Sequence, residues 1–297
     1  MLWVSLDASA TLGPITLDLL GLGIGVPISN FKLNKLSSLT GDELGALLKS
    51  IQWRLRGMGV AFEKPPLILA GVFEHEIALL PDGSEKDAFR GGIAITFPPY
   101  MFVAVGEYSV ITKGSKNYKS IFIYAKLDGP VITLAFATIS GVRLGFGYNS
   151  IVRQPTGPEL DQFPFLSDQG VDGAGNNPMN ILRSMTQPQN GSVPWVSSQQ
   201  DSYWFALGMT ISACEILFIT AVAMLNFRDN GIVVNLFADA VATLPAKLPK
   251  DSSQLALLYV EMAMVAELNF VEGFLRVEAA LAPTSFIYVP MCRLHGG

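Results

Sequence analysis

From Glu215 to Phe227, alternate positions read Leu217, Ile219, Ala221, Ala223 and Leu225 on one side and Ile216, Phe218, Thr220, Val222 and Met224 on the other. A strand with one wet face alternates apolar and polar residues. Both sets are apolar here, and about ten runs along the chain share the pattern. Such strands need cover on both sides, from a second sheet, a helix, a partner chain or a lipid.

The runs are separated by turn residues. Leu2 to Phe31 reads as two strands joined at Gly13-Pro14, and the second carries Gly21, Gly23 and Gly25 on one face. Strands follow over Trp53 to Phe62, Leu67 to Leu80, Ala88 to Phe97 and Tyr100 to Ile111. Pro81-Asp82-Gly83-Ser84 makes one hairpin. Ser120 to Leu127 and Val131 to Tyr148 are the next pair, with Asp128-Gly129-Pro130 as their turn. After a long gap the pattern resumes at Tyr203 and continues to Leu281, with turns at Asp229-Asn230-Gly231 and Pro245 to Ser253. Leu255 to Leu268 is rich in helix formers, but its apolar residues run without a helical gap, which favours strand.

Two helices stand out. Thr40 caps one ending at Ile51, with Asp42 and Glu43 in its first turn and a stripe of Leu44, Leu47, Leu48 and Ile51. Asn177 caps the other, Pro178 to Met185, with proline at its first position. This second helix lies in a Pro/Asn/Gln/Gly-rich insertion. The fold expected is all-β and mainly antiparallel, a curved sheet or a β-sandwich with a groove, carrying two or three short helices. Three segments are expected: a sheet unit over residues 1–153, the insertion over 154–202, and a hairpin unit over 203–297 that can continue the first sheet.

Composition sharpens this picture. Half of the 297 residues are hydrophobic and only 15% are charged, against about 25% in soluble domains. The polar surface is therefore thin. A net charge of −5 supplies no electrostatic footprint for nucleic acid, and Lys113, Lys116 and Lys119 read as a solvated turn. The first residues lack the pattern of a signal peptide, and no apolar run is long enough for a membrane helix, so an intracellular chain is the default expectation. Cys214 and Cys292 are too few for a disulfide framework, and their apolar surroundings predict buried, inert thiols.

Catalytic signatures are missing. His75, flanked by Glu74 and Glu76, has no second histidine at a metal-binding spacing and reads as an edge-strand cluster, so no metal is expected. Cys292 and His295 fall on opposite faces of a strand, and no GxSxG elbow exists. Glu261 with Glu267, and Glu272 with Glu278, sit about 20 Å apart along a strand, too far to share a glycosidic bond. Gly114-Ser115-Lys116 lacks the rest of a phosphate loop. No cofactor is implied.

The stretches GPITLDLLGLGIGVPI, GMGVAFEKPPLILAGVF, GGIAITFPPYMFVAVGEYS, SIFIYAKLDGP, GVRLGFGYNSIVRQP, FPF, YWFALGMTISACEIL, ADAVATLP and CRLHGG follow one another in order. Together they resemble an uncharacterised domain-of-unknown-function family, number 6603, of large β-rich bacterial and fungal proteins. The resemblance implies a β-rich fold and transfers no activity or site residue. Members are longer, which implies a fragment or a short member.

Three functional readings follow. The first is a binding protein with an apolar groove for a lipid-like ligand. Its candidate lining is Phe102, Phe122, Tyr124, Phe136, Phe146, Phe205, Leu217, Ile219, Phe237 and Phe274. The second is a structural or self-associating module whose second apolar face another chain buries. The third is an enzyme without a recognisable motif. A membrane β-barrel needs a polar inward set, which most strands lack in this pattern. Burying each large apolar side chain contributes about 1.5–3 kcal/mol, so an uncovered row forfeits tens of kcal/mol. Sheet-on-sheet packing is the commonest solution, ahead of a partner or a lipid.

Overall fold

A computed structural model describes residues 2–26, 52–166, 178–187, 193–228, 231–245, 256–288 and 292–294 of the chain. Those residues form one fifteen-stranded antiparallel sheet. Its strands are β1 (Leu2–Leu12), β2 (Ile15–Val26), β3 (Gln52–Arg54), β4 (Gly57–Lys64), β5 (Leu67–Leu79), β6 (Glu85–Phe97), β7 (Tyr100–Lys113) and β8 (Lys116–Thr133). They continue as β9 (Ala137–Val152), β10 (Val196–Ala213), β11 (Leu217–Arg228), β12 (Gly231–Leu244), β13 (Leu258–Asn269), β14 (Phe274–Leu281) and β15 (Phe286–Ile287). Thirteen follow one another as a meander from β1 to β14, while β3 pairs with β2 and β15 with β13. The sheet is not closed, and β1 and β14 are its edges. Short connections explain this order, because a strand leaving a tight turn pairs with its predecessor.

Among the described residues there is no second sheet, so the expected sandwich does not form. β9 pairs with β10 across the insertion, making one continuous sheet. One α-helix is described, α1 (Pro178–Thr186), where two or three short helices were expected. The helix expected over Thr40 to Ile51 lies outside the described residues. Asp128-Gly129-Pro130 is not a turn. β8 runs through it with a register irregularity between Asp128 and Ile132, and the chain reverses after Thr133 instead. A glycine followed by a proline can break the ladder locally without ending the strand.

The insertion between β9 and β10 folds onto one face of the sheet. Its 3-10 turn, Gly157–Gln162, touches β12, β13 and β14, while α1 touches β5, β6, β7 and β10. Helix α1 buries Met179, Ile181, Leu182 and Met185, a helical stripe. The Phe163-Pro164-Phe165 segment supplies the rings. Phe163 lies 5.1 Å from Phe237 and 5.2 Å from both Phe165 and Trp195 between ring centroids, and Phe165 meets Tyr124 edge-on at 5.2 Å. Strands β5 and β14 stand about 40 Å apart if the sheet is flat, at the usual strand spacing. Helix α1 is only nine residues, about 13 Å long, yet it touches both β5 and β10, which would stand about 24 Å apart on a flat sheet, so the sheet curls around it. The covered face is therefore concave and the other convex.

Candidate functional site: an uncharged convex sheet face

Register determines which side chains share a face. Directly paired residues in antiparallel strands point the same way. One row on the convex face runs Ala8, Leu19, Met58, Phe73, Gly91, Gly106, Ile123, Phe146, Phe205, Leu225, Val234, Leu268 and Leu275. The next runs Ala10, Leu17, Val60, Gly71, Ile93, Ala104, Ala125, Leu144, Leu207, Ala223, Leu236, Ala266 and Val277. The third runs Leu12, Ile15, Phe62, Leu69, Ile95, Phe102, Leu127, Val142, Met209, Ala221, Ala238, Met264 and Ala279. Three consecutive rows cross all thirteen strands without one polar side chain. Their large members are accessible, with Phe146 47% and Leu207 44% exposed.

A fourth row bounds these on the side of the insertion's connections. It reads His75, Phe89, Tyr108, Ile121, Tyr148, Tyr203, Phe227 and Ile232. His75 stacks on Phe89 at 4.4 Å, and Tyr148 meets Tyr203 edge-on at 5.3 Å. Charge on this face appears only at or beyond its two margins, with Lys64 at the opposite end, level with Phe97 and Tyr100. Asp87 Oδ1 accepts a hydrogen bond from His75 Nε2 at 2.7 Å, and Lys119 is exposed on β8. At the opposite end Phe97 and Tyr100 are paired and exposed.

The concave face has the opposite chemistry. Glu107 is buried between the Lys86 ammonium at 2.6 Å and the Arg90 guanidinium at 2.6 Å, and Arg90 also pairs with Glu76. Burial alone pushes the Glu107 carboxyl up. The two flanking cations outweigh it and hold the group below the ordinary carboxylate range. Lys126 pairs with Asp128 at 3.0 Å. Asn235 Oδ1 accepts from Asn226 Nδ2 and from Gln154 Nε2, both at 2.9 Å. Each strand thus has a polar-bearing inward set and an apolar outward set. The polar set expected to be missing is present, mixed with the aromatic core.

The strand stretch GVRLGFGYN shows how the concave face is built. Trp204 pairs directly with Gly147, and its indole lies over β9. A Cβ at Gly147 would stand 2.0 Å from Trp204 Nε1, and one at Gly145 would stand 2.7 Å from the same ring. Trp204 Nε1 donates to Ser150 Oγ at 3.2 Å, and the ring meets Phe165 edge-on at 5.6 Å. These glycines give the indole its seat.

These are stretches on which the family resemblance rested, and the match extends along the whole chain. A model of a family of unknown function, DUF6603, matches residues 1–297. The chain belongs to the DUF6603 family. No curated protein and no solved structure matches it.

Within this DUF6603 chain the ten candidate groove residues divide. Phe102, Phe146, Phe205, Leu217 and Ile219 share the convex face, and Phe146 pairs directly with Phe205. Phe122, Tyr124 and Phe237 are buried in the concave core. Phe274 faces the same way as Asn269 on the edge strand, and Phe136 is exposed in the β8–β9 turn. Alternation alone could not separate them, because both sets of positions contain rings. Sequence reading also missed the fourth row, whose members become neighbours only through pairing across many strands.

Other sequence expectations change. Cys214 and Cys292 are free and exposed rather than buried, because both fall at turns beyond strand ends. His75 is on an interior strand, with Glu74 and Glu76 together on the face opposite it. His295 lies outside the described residues. A cleft of about 470 Å³ beside β1, β2, β4 and β5 contains Asp7, Asp18, Glu74 and Arg183. Asp7 accepts from Gly21 N–H at 2.6 Å, and Glu74 pairs with Arg183 at 2.6 Å, so two of the three carboxylates serve the fold. Among the described residues no cluster of His, Cys, Asp or Glu is able to hold a metal ion, and no helix is long and apolar enough to cross a membrane.

Proposed function

We propose that this chain is a non-catalytic β-scaffold that presents the convex face of its sheet to an apolar partner. The observation that carries the reading is the three rows free of polar residues across thirteen strands. Thirteen strands span about 60 Å, and three rows with their margins about 20 Å, so the face approaches 1,200 Å² in outline. The largest apolar patch on a typical monomer is roughly 300–600 Å². The concave face supports the reading from the other side, since its insertion, ion pairs and rings already cover it.

The test is a cross-strand pair placed in the middle row, Leu144→Lys with Leu207→Asp. These positions face each other directly, so the new charges compensate one another on the sheet. The double variant should bind far less bis-ANS and remain dispersed at concentrations where the parent chain associates. Equal dye binding and equal dispersal in parent and variant would remove the reading.

A second reading is favoured by the sheet edges. Among the described residues β1 and β14 each have one side without a strand, and such edges accept further strands. An assembly module would use them, with the chain adding edge to edge. Proline placed in β14 would then reduce assembly while leaving dye binding on the convex face intact.

A further inference from the structure

We infer that the partner of the convex face is the hydrocarbon interior of a phospholipid bilayer. This rests on the reading of that face as a partner surface and names what covers it.

Shape is the first argument. The sheet curls around its insertion, so the apolar face bulges outward. A second copy presenting the same bulge would touch it along a narrow strip and leave most of the rows wet. Acyl chains are fluid and follow a convex surface.

The distribution of chemistry along the strands is the second argument. On β6 the rings Phe89 and Phe97 are eight residues apart, with only glycine, isoleucine and isoleucine between them on that face. That interval is about 26 Å along the strand, or about 20 Å in height at a barrel-like tilt. The uncharged outward set of β11, Leu217 to Phe227, covers about 33 Å, or about 25 Å in height at a barrel-like tilt. Hydrocarbon-facing bands of membrane β-proteins are about 25 Å tall and edged by aromatic rings. Here Tyr148 and Tyr203 stand at one margin and Tyr100 at the other, with amphipathic rings where a headgroup layer would lie. Charged Lys119 and Asp87 come next outward, past or at that margin. A protein partner gives no reason for rings at two levels and charge only at or outside them.

The alternation across the sheet is the third argument. Polar groups face the plugged interior and apolar groups face out on every long strand, the arrangement a lipid-facing sheet requires. Hydrocarbon covers the face but cannot satisfy the backbone of the β1 and β14 edges. Those edges take further strands in the membrane.

The experiment places an environment-sensitive NBD probe on single cysteines in the full chain, in a Cys214→Ser, Cys292→Ser background. Leu207→Cys reports the middle row and Asn117→Cys reports the exposed end of β8. The chain is mixed with phosphatidylcholine vesicles containing lipid brominated at mid-chain. Flotation with the vesicles, a blue shift at position 207 and its quenching by bromine, with position 117 unchanged, is the expected result. Leu225→Cys, on another strand of the same face, repeats the measurement should Leu207→Cys disturb the fold. No flotation and no quenching at either convex-row site, with a protein-concentration-dependent blue shift instead, overturns the bilayer and leaves the apolar-partner reading standing. A probe that stays wet at every protein and lipid concentration overturns both.

Discussion

Alanine at position 147 places a methyl carbon where the Trp204 indole already sits. The Cβ would lie 2.0 Å from Nε1, and three ring atoms fall within 2.6 Å. Ordinary contact begins near 3.5 Å, so the ring must retreat by about 1.5 Å. It has little room, because Trp204 is 1% exposed and packed edge-on against Phe165. Overpacking of this kind costs about 1–3 kcal/mol. Retreat also lengthens the Trp204–Ser150 hydrogen bond, worth about 1 kcal/mol. Gly147→Ala should therefore destabilise the fold by about 2–4 kcal/mol, roughly 4–12 °C in Tm at the sensitivity of a large domain. Thermal unfolding followed by near-ultraviolet circular dichroism measures it, because that signal reports the packed indole. Trp204→Leu costs stability alone, but in combination with Gly147→Ala the loss should be less than the sum, since the clash is gone. A Gly147→Ala chain as stable as the parent, or strictly additive losses, would show that the indole does not lie over β9.

Further outcomes follow from the concave face and the turns. Glu107→Gln leaves Lys86 without its partner and weakens the pairing of Arg90, so a loss of about 3–5 kcal/mol is expected in urea unfolding. The same carboxylate shapes the acid limb. Its folded pKa is depressed, so its stabilisation is complete above the unfolded value of about 4.3 and is lost as pH falls through the folded value. Stability of the parent should drop steeply below about pH 4, and the Gln variant should show a shallower drop in the same titration. Phe163→Ala removes a ring in contact with three others and should cost about 3–5 kcal/mol by denaturant titration. Cys214 and Cys292 should both react with a water-soluble maleimide in the native chain, and mass spectrometry showing either one protected would contradict their exposure.

Much of the architecture was legible in the residues. Gly13-Pro14 and Pro81 to Ser84 mark hairpins because only certain residues adopt turn geometry at low cost. Leu255 to Leu268 reads as strand against its helix-forming composition, and β13 occupies Leu258–Asn269. Pro178 at a helix start likewise follows from local chemistry. Local rules gave the wrong answer at Asp128-Gly129-Pro130, where pairing with β7 and β9 carries the strand through a turn-like sequence. The cysteines were misjudged because an apolar neighbourhood in sequence says nothing about a position just past a strand end.

The residues by themselves determined that long strands are apolar on both sides and that polar surface is scarce, since period-2 alternation and composition are local properties. They could not determine which apolar set is core. Phe122 and Phe146 look alike along the chain, yet one is 3% exposed in the core and the other is 47% exposed. That choice belongs to the insertion, which can cover only one face. Tertiary structure decided it by curling the sheet around the Phe163-Pro164-Phe165 segment and helix α1. The same register that buried Glu107 with its two cations brought Phe146 and Phe205 together outside, in rows that exist only once all thirteen strands are paired.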